Sequence, residues 1–213
     1  MKNTMKKNNV LIILFVAGLI GVAAVLVYFS QKNKPDGQAV AVDNHGHPIV
    51  NNSAAIPALN NLMGKPVPSF TLSDKDGNVY SSENLLGKNI ILFFNEGLMC
   101  YPACWNQIAA FPKDERFSDD NTVVLSVVVD SKDDWRKAVS QMPELDAATV
   151  VFDQGAAVSK KFGVLTLPSS MHYGSLPGHT YIVIDKEGVV SHVFDDPNMA
   201  LHNDKLAEEI SRL

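Results

Sequence analysis

Cysteine is scarce in this 213-residue sequence. There are two, Cys100 and Cys104, so at most one internal bridge can form and a multi-disulfide scaffold is excluded. Acidic residues are missing from the first 35 positions, where Lys2, Lys6, Lys7, Lys32 and Lys34 hold 5 of the 18 basic residues. The remainder therefore sets 13 basic against 23 acidic residues, a balance of −10 beneath an overall formal charge of −5. An acidic domain repels a polyanion, so nucleic acid is not expected as a partner. Internal repeats and low-complexity tracts are also absent, and no cysteine near the N-terminus offers a lipid attachment point.

Charge of either sign is missing from residues 10–29, a run long enough to cross a hydrocarbon core of about 30 Å as a helix. The lysines before it favour a cytoplasmic N-terminus. The competing reading is a signal peptide cleaved at the small residues Gly21 to Ala24. Cleavage there leaves Val25, Leu26, Val27, Tyr28 and Phe29 as an apolar new terminus, which favours an uncleaved anchor. The expected organisation is a basic cytoplasmic tail over 1–9, a transmembrane helix over 10–29, a polar tether over 30–57 and a folded extracytoplasmic domain over 58–213. His45 and His47 fall in the tether, where an isolated pair reads as polar linker.

What is present centres on Ile90-Ile-Leu-Phe-Phe-Asn-Glu-Gly-Leu-Met-Cys-Tyr-Pro-Ala-Cys104-Trp. Residues 90–94 form an unbroken apolar run, as in a strand covered on both faces. Asn95, Glu96 and Gly97 break it, and Pro102 suits a first helical turn, where its missing N–H costs nothing. Cys100 is expected just before the helix N-terminus and Cys104 about one turn inside it. A helical i, i+4 pair holds its Cβ atoms about 5–6 Å apart, whereas a disulfide needs about 3.8 Å. Bridging the two thus requires Cys100 outside the regular helix, or an unwound first turn. Such a pair reads as a redox or metal site, against the alternative of a static disulfide or two buried thiols.

Around this stretch the pattern predicts a short helix near 56–63, a strand and hairpin over 68–80 turning at Asp74 to Gly77, and a capped turn closing at Gly87. A β-branched strand over 122–129 suits the sheet centre. A helix over 133–142, a strand over 149–152 and a helix over 155–162 closed by Gly163 follow. Residues 165–178 are an irregular stretch long enough to suggest function. A strand at 180–184, a return at 189–194 and a final helix over 204–213 complete an α/β fold, a central mixed sheet with helices on both faces.

That order of parts, from the opening hairpin through the cysteine-bearing helix to Tyr181-Ile-Val-Ile-Asp-Lys-Glu-Gly188, resembles the thioredoxin-like redoxins. More narrowly, it is similar to the alkyl hydroperoxide reductase/thiol-specific antioxidant family over about residues 64–213. The resemblance implies a thiol–disulfide oxidoreductase or antioxidant needing no cofactor and exchanging with extracytoplasmic protein thiols or a dithiol reductant. Cys100 falls on the attacking cysteine, and Cys104 is then the resolving one, with His179 close to Cys100. The family motif has proline where this chain has Phe93, threonine where it has Gly97, and arginine where it has His179, which implies weak peroxide reduction. Three residues between the cysteines, an anchor and a late histidine also resemble the Sco-type copper chaperones. That alternative implies copper on Cys100, Cys104 and His179, with Met171 and His172 as further ligands.

Overall fold

The computed structural model describes residues 55–213. The expected tail, the span over 10–29, His45, His47 and the tether up to residue 54 lie outside the described residues. Among the described residues, no helix is long and apolar enough to cross a membrane. The packed domain begins before residue 58, because Ala55 and Leu59 of helix α1 (Ala55–Asn60) are already buried in its core.

Among the described residues, seven strands build one mixed sheet. They are β1 (Thr71–Asp74), β2 (Val79–Ser81), β3 (Asn89–Phe94), β4 (Thr122–Val128), β5 (Val150–Phe152), β6 (Thr180–Ile184) and β7 (Val190–Asp195). Their order is β2-β1-β5-β4-β3-β6-β7. β3, β4 and β5 run parallel, and the outer neighbours pair antiparallel. β4 takes the centre, as its β-branched run predicts, and every residue of β3 is buried. The turn between β1 and β2 is held by Asp74, whose carboxylate accepts from the backbone N–H groups of Asp76 and Asn78.

A strand's period of two sends alternate side chains of β3 to opposite layers. Ile90, Leu92 and Phe94 join Phe70, Leu125, Val127 and Phe162 on one face. Ile91 and Phe93 join Cys104, Trp105, Ile108 and Trp135 on the other. The second layer carries α2 (Ala103–Ala110), α3 (Lys132–Gln141) and, through Leu206, α5 (Asn203–Ile210). The helix expected over 155–162 is divided. Ala156 adopts a left-handed φ of 55°, so only α4 (Ala157–Lys161) is regular, and Gly163 closes it at φ 72°. Asp153 satisfies the first N–H groups of α4, accepting from the backbone N–H groups of Val158 and Ser159.

Candidate active site

The end of β3 delivers the chain into a tight turn that the sequence pins from three sides. Asn95 Oδ1 accepts the N–H of Gly97 at 2.9 Å, Asp130 Oδ2 accepts that of Leu98 at 3.1 Å, and Trp105 Nε1–H donates to the Gly97 carbonyl at 2.9 Å. Gly97 stands at φ +56°, and a Cβ there would overlap the Asp130 carboxylate. Position 97 thus has no room for the threonine of the family motif. Burial pushes the Asp130 carboxyl above its usual range, against the pull of the Leu98 N–H.

Residues Gly97–Cys100 form a 3₁₀ turn, and Ala103 opens α2 after a cis Tyr101–Pro102 peptide. Cys100 therefore lies outside the regular helix, as bridging requires, and is disulfide-bonded to Cys104 with Cα atoms 5.4 Å apart. One expectation about the pair is corrected. Cys104 is the second residue of α2, in the first turn rather than one turn inside it, because the helix starts only after Pro102. In the disulfide both cysteines are buried, Cys100 at 2% exposure and Cys104 at 0%, while Met99 and Tyr101 between and beside them in sequence are exposed.

His179 precedes β6 and is fully buried. Its Nδ1 lies 3.6 Å from Cys104 Sγ, so its hydrogen-bonding neighbour is Cys104 rather than Cys100. Cys100 Sγ still falls within the same cluster, since the two sulfurs and one histidine nitrogen all lie within 4.8 Å of one another. On the far side of the ring, Nε2 meets the Ala200 carbonyl at 3.1 Å and the Tyr181 hydroxyl at 2.7 Å. A carbonyl can only accept, so Nε2 carries the proton. The Tyr181 hydroxyl then accepts from it and donates to Gln107 Oε1 at 3.1 Å. Nδ1 is left with a bare lone pair facing Cys104. Burial lowers the pKa of His179 to about 4, with the Ala200 contact and Asp196 pulling the other way, so the ring is neutral at pH 7. A neutral ring does not stabilise a thiolate by charge before the proton moves; it can accept the proton of a Cys104 thiol.

Phe93 fills the space beside this histidine. Its ring stacks on Tyr181 at 4.6 Å and meets His179 edge-on at 4.7 Å. The three departures from the family motif are thus occupied consistently: an aromatic wall at 93, a carboxylate against 97, and an imidazole on Cys104 at 179.

Among the described residues His172 does not join the donor cluster, and the Met171 side chain is exposed. Glu96, with its side chain fully buried, accepts from the N–H groups of Met171 at 2.6 Å and His172 at 3.0 Å, and its second oxygen pairs with His172 Nδ1 at 2.9 Å. The irregular stretch is latched to the cysteine turn by one side chain, Glu96, which in the sequence marks only the end of an apolar run. Another donor beside the pair is Met199. Its Sδ lies 3.7 Å from Cys100 Sγ, brought there across 99 positions. No local pattern marks it, because an isolated methionine after Asp195-Asp-Pro-Asn198 carries no periodicity.

Comparison with known proteins places this geometry among relatives. Residues 63–193 match the model of the AhpC/TSA family. Chloroplastic peroxiredoxin Q of wheat, Triticum aestivum, is 32% identical over 139 residues, 62% of this chain and 58% of the relative. That of Sedum lineare is 33% identical over 139 residues, 62% of this chain and 68% of the relative. The chain thus spans less than two thirds of the wheat protein. Among solved structures, Enterococcus faecalis AhpC superposes with a TM-score of 0.61 at 17% identity, covering 71% of this chain and 91% of that one, a likeness of fold. With a match over more than half its length, carried on a redoxin sheet and a cysteine turn at the end of β3, this chain belongs to the AhpC/TSA family.

Proposed function

We propose that this protein is a thiol–disulfide oxidoreductase of the peroxiredoxin-like type, in which Cys100 and Cys104 cycle between dithiol and disulfide within one chain. The observation that carries this reading is the Cys100–Cys104 bridge, closed at a strand-to-helix junction with a neutral histidine beside it. An external dithiol reduces the bridge, giving up two electrons and two protons to leave two thiols and its own disulfide. The dithiol is reoxidised by a substrate disulfide or, more slowly, by a peroxide, which leaves as water or as an alcohol and water. The likeness to peroxiredoxin Q supports the peroxide arm. The occupation of positions 93, 97 and 179 supports the exchange arm, because the groups that would position a peroxide are replaced.

Stopped-flow oxidation of the reduced domain is the test. The rate constant with a reactive protein disulfide should exceed that with hydrogen peroxide by about tenfold or more, as expected when positioned electrostatic partners are missing. A peroxide rate constant above the disulfide one would make the protein a peroxidase first.

The same reading holds the domain outside the cytoplasm on an uncleaved anchor, from the uncharged run over 10–29 and the lysines before it. The full chain should then fractionate with membranes, and external protease should release a soluble domain. Recovery of a mature protein beginning near Ala24 would overturn the anchor.

One observation favours a second reading, copper handling. Cys100 Sγ, Cys104 Sγ and a His179 nitrogen converge within 4.8 Å, and two thiolates with an imidazole form a soft set suited to Cu(I).

A further inference from the structure

In the cysteine–histidine cluster, Met199 Sδ meets Cys100 Sγ at 3.7 Å, and the loop carrying it is built rather than incidental. Asp196 is its hub: its backbone N–H donates to the His179 carbonyl at 2.9 Å. Its Oδ1 accepts from the N–H of Asn198 at 2.9 Å, and its Oδ2 accepts from the N–H of Ala200 at 2.7 Å and contacts His202 Nε2 at 2.7 Å. Met199 sits between these anchors at φ +52°, a backbone conformation that non-glycine residues adopt only when their surroundings impose it. One loop therefore fixes two things about the cluster. It turns the Met199 thioether onto Cys100 and sets the Ala200 carbonyl against His179 Nε2, leaving Nδ1 free to face Cys104.

We propose that Met199 is the fourth donor of a Cu(I) site made of Cys100 Sγ, Cys104 Sγ, His179 Nδ1 and Met199 Sδ, available only when the disulfide is reduced. This rests on the copper reading above and adds both the fourth ligand and the redox condition. Distances carry it. Around a tetrahedral ion with bonds of about 2.0–2.3 Å, neighbouring donors stand about 3.3–3.8 Å apart. Two such edges already exist: Cys104 Sγ to His179 Nδ1 at 3.6 Å and Cys100 Sγ to Met199 Sδ at 3.7 Å. The sulfur–sulfur edge is the one that is too short, because those atoms are bonded to each other. Reduction by an external dithiol breaks that bond, and the two sulfurs separate toward the spacing that the other edges already have. Binding then exchanges two thiol protons, released to solvent, for two metal–thiolate bonds, with no electron transferred. Reoxidation of the two thiolates by a substrate disulfide, which takes up the two electrons and two protons and leaves as two thiols, removes both ligands at once and expels the ion. A thioether is a soft donor, so it favours Cu(I) over the harder divalent ions.

The test titrates the reduced full-length protein and its variants with Cu(I) against a competing chelator under anaerobic conditions, with X-ray absorption on the loaded forms. Wild type is expected to bind one Cu(I) with three sulfur neighbours and one nitrogen, and the disulfide form none. Met199→Leu should weaken binding about tenfold and leave two sulfurs and one nitrogen, as loss of one supporting group does at metal sites. Met171→Leu should change neither quantity. Failure of reduced wild type to bind Cu(I) would overturn the copper reading itself. Binding with unchanged affinity and sulfur count in Met199→Leu would leave that reading standing and overturn the role of Met199. Equal retention of Cu(I) by the disulfide form would overturn the redox condition.

Discussion

His179→Gln is expected to slow dithiol–disulfide exchange by about 100-fold, the usual scale for losing a positioned proton acceptor. The Nδ1 lone pair faces Cys104 Sγ at 3.6 Å, and the proton on Nε2 is held there by the Ala200 carbonyl. As a Cys104 thiol ionises, its proton passes to Nδ1, and the thiolate then holds the imidazolium by charge. Glutamine near the same place can donate or accept a hydrogen bond but takes up no proton. Exchange kinetics for wild type and variant, with the Cys100 and Cys104 peptides resolved by mass, test this. Equal rates would remove His179 from the chemistry.

The same substitution should change stability with a definite sign. Folded His179 has a pKa lowered to about 4, and an unfolded histidine titrates near about 6.5. The unfolded chain therefore binds this proton first on acidification, so stability is full above about pH 6.5 and falls toward pH 4, by about 3 kcal/mol in total. His192, also lowered by burial, acts in the same direction. Asp130 and Asp195, raised by burial, act in the opposite one. The quantity to read is accordingly the difference between metal-free wild type and His179→Gln in denaturant unfolding at pH 7 and pH 4.5. It should shrink at the lower pH; a constant difference would contradict the buried neutral state.

Much of the scaffold was legible because it is encoded locally. Residues 90–94 lack any polar side chain, and a strand covered on both faces is what that pattern forms. Asp74 to Gly77 carried its own turn chemistry, and Gly163 its own helix stop. The site was legible only as far as its cysteines and one histidine. Which sulfur His179 meets depends on where α2 begins, and Cys100 lies in a 3₁₀ turn that the i, i+4 spacing did not specify beyond requiring a departure from the helix. Met199, Ala200 and Glu96 act through contacts with residues far away in sequence, and two of the three act on or beside a backbone group. No periodicity, composition or spacing records such contacts. The division of the fourth helix at Ala156 was likewise hidden, since alanine ordinarily favours the helix and here the surrounding fold overrides it.

Gly97→Thr restores a motif residue of the family and is nonetheless expected to destabilise the domain by about 3 kcal/mol, combining left-handed strain with overpacking. Position 97 stands at φ +56°, and any Cβ there runs into the Asp130 carboxylate and crowds Val128. Asp130 cannot simply retreat, because it accepts the Leu98 N–H that shapes the turn carrying Cys100. For a domain of this size the loss corresponds to a fall in melting temperature of roughly 6–12 °C. Peroxide reduction should not improve. Gly97→Thr combined with Asp130→Ala relieves the clash, so the double variant should be less unstable than the two single losses added together. Wild-type stability in Gly97→Thr, or a gain in its peroxide rate, would show that the turn is free to rearrange.

The central claim is that Cys100 and Cys104 form one intramolecular redox couple. Equilibrating the protein in dithiol/disulfide buffers of graded potential, then trapping thiols with an alkylating reagent and weighing the intact chain, measures it directly. The account predicts a single two-electron transition between an unlabelled chain and a doubly labelled one, with no singly labelled species accumulating and no covalent dimer. Independent labelling of one cysteine, a dimer, or a bridge that stays closed across the whole range would contradict it.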